Sequence, residues 1–173
     1  MEKKQMILYN VLFPIWILVL FPQTWVVVLP ANLLIDFMVV WASLRLQKVE
    51  GRGPALKSSV LKVWVSGFAA DLLGTLPMLL MIVLAGIPGT ASDWYQAHVC
   101  FPVMENPFTS GWALAWVLGC ILLAAWAIYQ LNLRWSFAKT ALTDTQKKKA
   151  ALALAVCTAP YLFLLPSSWL YGF

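Results

Sequence analysis

Five stretches of the chain stay apolar for long enough to cross a membrane, and most charged residues collect between them. A helical span needs about 20 mainly apolar residues to cross a hydrocarbon core of about 30 Å. The pattern places spans at about 5–21, 24–46, 60–86, 111–133 and 144–165. Isolated strands would leave backbone groups unsatisfied in lipid, so each span is read as a helix. The expected fold is therefore all-α: an integral membrane bundle of five transmembrane helices, forming one polytopic domain over residues 1–173. Thr143 and Gln146 stand three apart ahead of the last apolar run, the spacing of a capping box. Ser110 stands where it would cap the fourth span. Pro14, Pro30, Pro77 and Pro160 fall inside four of the spans, and each removes a backbone donor.

Composition makes lipid the solvent. Hydrophobic residues are 62% of the chain and charged residues 11%, against about half and about a quarter in ordinary soluble domains. A chain of 173 residues cannot bury that much apolar surface inside itself. The net charge of +5 is spread over short clusters between spans rather than gathered into a patch, which argues against a nucleic-acid partner. Lys3 and Lys4 precede the first span. Arg45, Lys48, Arg52, Lys57 and Lys62 surround the second connection. Arg134, Lys139, Lys147, Lys148 and Lys149 occupy the fourth. Basic residues mark the inner side, so the N-terminus is expected inside and the C-terminus outside. The basic start followed by an apolar run lacks a small-residue cleavage site and is read as an uncleaved first span. Trp25, Trp64, Trp94, Trp112, Trp135 and Trp169 fall near the expected interfaces, where amphipathic rings belong. The small size and the lack of an Asn-x-Ser/Thr sequon fit a bacterial plasma membrane. Expected partners are the bilayer and either a second copy of the chain or another membrane protein. Three scattered cysteines give no disulfide framework, and neither metal-ligand spacing nor a cofactor motif is present.

Candidate chemistry centres on two acids, because an ionisable group deep in a span costs a few kcal/mol. Asp36 lies nine residues from Arg45, and Asp71 nine from Lys62. At 1.5 Å per residue both carboxyls reach about 13 Å beyond a basic anchor. Spans two and three run in opposite directions, so the pair can meet near mid-bilayer. Asn32, Asp36, Ser43 and Gln47 form a polar stripe within about 60° of arc. Gly67, Asp71, Gly74 and Thr75 fall within about 100° on the next span. Thr158 in the fifth span reaches a similar depth. Two facing carboxylates in a low dielectric cannot both stay charged, so the resting pair shares one proton or carries two.

Three functions fit such a pair. It can hold a proton or cation in a transporter-like or channel-like protein. It can glue helices in a non-catalytic subunit, scaffold or assembly factor, for about 1 kcal/mol. It can activate water as an aspartyl hydrolase, although the stretch GFAAD lacks the GxGD pattern of intramembrane aspartyl proteases. In the outer connection, 87–110, His98 and Cys100 stand two apart, but no third group completes a nucleophilic site. An aromatic loop lying on the interface is the expectation there. The basic and aromatic segment RWSFAKTALTDTQKKK is read as a topology signal at the inner surface.

Overall fold

A computed structural model describes residues 22–167 and Trp169. The expected first span, with Pro14, lies outside the described residues. The described chain is helical and contains no strand. Four principal helices are α1 (Pro22–Leu46), α2 (Arg52–Gly86), α3 (Gly111–Leu131) and α4 (Asp144–Cys157). Among the described residues three segments are long and apolar enough to cross a membrane: Val26–Leu46, Arg52–Gly86 and Gly111–Ser136.

The chain divides into two compact units. One holds residues 25–74 and 121–160, and the other holds 75–120 with the segment from Tyr161. The first carries ten of the twelve Lys and Arg residues, the other two being Lys3 and Lys4. Its core gathers Val40 and Leu44 of α1, Val63 and Ala70 of α2, Ile128 of α3 and Leu154 of α4 around the fully buried ring of Phe137.

Helix faces are sorted by size as much as by polarity. Along α3, Ala113, Val117, Cys120, Ala124 and Ala127 are buried, while Trp112, Trp116, Leu122 and Trp126 are exposed. Small residues let helices approach, and large apolar ones are left for lipid, where they carry no solvation penalty. The same outward display recurs at Val26, Leu34 and Met38 of α1 and at Leu76 and Leu80 of α2.

Helix α2 begins eight residues before the expected span, at Arg52. Pro54 stands in the first turn, where its missing N–H would have had no intrahelical partner. Basic residues that read as connection are therefore helical. The 35 residues measure about 52 Å, well beyond the hydrocarbon thickness. Helix α3 continues through a π-helical turn, Asn132–Ser136.

Helix α4 opens as its sequence indicates. Thr143 Oγ1 accepts from the Gln146 N–H at 3.3 Å, and Gln146 Oε1 accepts from the Thr143 N–H at 2.9 Å. Its end differs from the expected 144–165. The helix stops at Cys157 after 14 residues, about 21 Å, and a 3-10 turn follows at Tyr161–Leu164. Pro160 offers no donor and its ring conflicts with the carbonyl four residues earlier. Pro30 and Pro77, by contrast, sit within continuous helices. At the end of α4, Thr158 gives both its N–H and its hydroxyl to the Leu154 carbonyl, each at 2.8 Å.

The α1–α2 connection is a Schellman turn. Val49 N–H donates to the Leu44 carbonyl at 3.1 Å and Lys48 N–H to that of Arg45 at 3.0 Å. Val49 packs against the core that holds Leu44, completing the motif's apolar contact. The left-handed position is filled by Lys48, φ 52°, where glycine is usual, and Gly51, φ 68°, turns the chain into α2. A left-handed residue bearing a Cβ costs about 1–2 kcal/mol. Lys48→Gly should therefore raise stability by about 1 kcal/mol and Gly51→Ala should lower it by a similar amount, as measured by thermal unfolding in detergent.

Candidate functional site

Helices α1 and α2 supply the acids. On α1 the expected polar stripe is turned inward: Asp36 is 5% exposed, Ser43 is buried, and Asn32 and Gln47 are half-buried. Gln47 Nε2 donates to Ser43 Oγ at 3.1 Å within that stripe. On α2, Gly67 and Asp71 are half-buried, while Gly74 and Thr75 are buried. Thr75 lies one turn beyond Asp71 on the same helix face.

The two helices meet through a glycine. A Cβ placed on Gly67 would stand 3.5 Å from Asp36 Oδ2, so this carboxyl rests directly on the α2 backbone. Asp71 is one turn further along that helix and lies within electrostatic reach of Asp36. Trp64, one turn before Gly67, donates its indole N–H to the Leu29 carbonyl of α1 at 2.9 Å. The ring was expected at an interface but is half-buried and committed to a helix–helix bond. Leu29 and Asp36 are seven residues apart, two turns, so they share a face of α1. Trp64, Gly67 and Asp71 share a face of α2 by the same periodicity. Asp36 and Asp71 are thus brought together, with Asn32 one turn from Asp36. Thr158 is instead the C-cap of α4, its hydroxyl held by Leu154.

A second polar group lies in the same unit and was not visible as a site in the sequence. Ser66 Oγ and Ser136 Oγ are 3.1 Å apart, and both residues are buried. Asn132 is buried one turn before Ser136 and donates through Nδ2 to the Ile128 carbonyl at 2.8 Å. The π-helical turn brings Ser136 and Asn132 into the core together. Its extra residue shifts the helix face locally, which a 3.6-residue period cannot anticipate. The available signal was Ser59 and Ser66, seven residues apart on α2 and both buried.

The outer connection carries no nucleophile–base pair. Ser92 caps the short helix Asp93–Tyr95, and a π turn, Gln96–Cys100, runs on from it. His98 is exposed, stacks on Trp94 at 4.9 Å and 16°, and sets Nδ1 2.9 Å from the Trp94 carbonyl. Cys100 is buried, its Sγ 4.0 Å from the Met81 carbonyl. Burial pushes the Cys100 thiol above its ordinary range, and a hydrogen bond with Tyr95 only partly opposes that. Ser110 does stand at the start of α3, its carbonyl accepting from Leu114 N–H at 2.9 Å. Its hydroxyl, however, donates to the His98 carbonyl rather than being spent on the helix.

Three outcomes follow from this geometry. Gly67→Ala should leave thermal stability within about 1 kcal/mol, because its methyl makes only an ordinary contact. Gly67→Leu needs the space held by the Asp36 carboxyl and should cost roughly 1–3 kcal/mol. A maleimide at pH 7.5 should leave Cys100 unmodified in the folded protein and label it after unfolding, as read by mass spectrometry, because the neutral thiol is the poor nucleophile. Compared with protein-family models, curated proteins and solved structures, the chain matches none.

Proposed function

We propose that the chain is a multi-pass membrane protein of five spans, with the N-terminus inside and the C-terminus outside a plasma membrane. In this reading it takes up and releases a proton or cation at Asp36 and Asp71, as a small transporter or channel. The observation that carries it is the meeting of two acids in the interior of the basic unit, with Asp36 seated on Gly67 and Asp71 one turn away within electrostatic reach. Two carboxyls so placed repel when both are charged, so a proton or a cation is favoured between them. Asn32 and Thr75 supply neutral polar groups on the adjoining turns. A second copy of the chain would complete the walls that five spans leave open.

A second reading is favoured by the closeness of Asp36 to Gly67. A polar side chain set into a glycine gap is also how membrane helices are glued, for about 1 kcal/mol. The chain would then be a non-catalytic subunit or scaffold.

Asp36→Asn and Asp71→Asn separate the two readings, because asparagine keeps hydrogen bonding and does not titrate. In proteoliposomes carrying a pH-sensitive dye, the transport reading expects both variants to fold and to lose proton flux at least tenfold. Wild-type-like flux in both ends that reading. The packing reading expects normal behaviour from both and a lower unfolding temperature only for Asp36→Leu.

A further inference from the structure

Beside the α1–α2 turn lies an open groove of about 1110 Å³, whose lining includes neither Asp36 nor Asp71. Four cations line it, Arg45, Lys48, Arg52 and Lys57, with Glu50 as the one acid in its lining. The local fold holds one of these charges and sets the backbone positions of two others. The Arg45 guanidinium lies 5.1 Å from the centre of the Trp41 ring, which holds it against the wall. Lys48 occupies the left-handed position of the turn, and Arg52 opens α2.

The lining carries an excess of positive charge, four cations against one acid. A helix N-terminus carries partial positive charge and is stabilised by acids in its first turn. The first turn of α2 has none and begins with Arg52. An anion in the groove would neutralise the cations and meet the helix end. The other side of the groove is apolar: Phe37 and Trp41 are about two-fifths exposed and lead from the cations along the membrane-crossing part of α1. A cationic head region continuous with an apolar wall matches an amphiphile rather than a soluble ion. It also lies at the end where basic residues meet the inner leaflet, which holds anionic lipid.

We propose that this groove seats the phosphate of an anionic phospholipid, with its acyl chains laid along Phe37 and Trp41. The test is native mass spectrometry of the full chain in detergent, titrated with phosphatidylglycerol or phosphatidylcholine. Wild type should bind phosphatidylglycerol at least tenfold more tightly. Each basic residue near a membrane surface contributes about a fivefold factor, so Arg45→Gln with Arg52→Gln should weaken that binding about 25-fold. Arg134→Gln with Lys139→Gln removes the same charge elsewhere and should leave it unchanged. If the first pair fails to fold by circular dichroism, Lys57→Gln, an exposed position, replaces it with an expected fivefold loss. Equal binding of the two lipids would overturn the proposal, as would an equal loss in the control pair. Displacement of the lipid by millimolar inorganic phosphate would assign the groove to a soluble anion and overturn it as well.

Discussion

Apolar surface on both sides of every long helix is the constraint that shapes this protein. When water is the solvent, a helix is oriented by hiding its apolar stripe. Here the outward face is as apolar as the inward one, so that cue is gone. What remains is size and the rare polar group. Helix α3 shows the first, with alanine, valine and cysteine turned in and tryptophan and leucine turned out. Helices α1 and α2 show the second. Asp36, Ser43, Ser66 and Thr75 are buried because lipid would not tolerate them. The glycine at position 67 joins both rules, since the lack of a large side chain there leaves room for the Asp36 carboxyl beside α2.

Backbone hydrogen bonding sets the second limit. Each interior proline leaves a carbonyl without its helical donor. The outcome differs among the three. In α1 and α2 the helix carries on through Pro30 and Pro77. Ahead of Pro160 a threonine supplies a hydroxyl and an amide to one carbonyl, and the helix ends. Beyond that break, Ser167 donates its hydroxyl to the Met104 carbonyl at 2.7 Å and its N–H to that of Glu105 at 2.9 Å, which anchors the following segment.

Features governed by local rules were legible in the sequence. The Thr143–Gln146 box formed as its spacing implied, and the stripe from Asn32 to Gln47 was found on one inward face. Features governed by tertiary competition were not. Trp64 reads as an interface ring, yet it bonds to a carbonyl of another helix. Thr158 reads as a polar-core residue by depth, yet it closes its own helix. Ser66 and Ser136 are 70 residues apart and meet where a π turn ends the third span, a local shift that no fixed periodicity contains. Arg52 and Lys57 read as connection because they are charged, but a helix can outrun the membrane, and α2 does.

The uneven distribution of cations has an energetic consequence for insertion. The connection between α2 and α3 carries Asp93 and Glu105 and no lysine or arginine. In the proposed orientation, with the basic end inside, threading this segment through the bilayer moves only acids outward. A membrane potential negative inside favours that movement by about 2.3 kcal/mol per charge for each 100 mV. The same field opposes export of the basic connections, so the energised membrane would itself help set the final topology during synthesis.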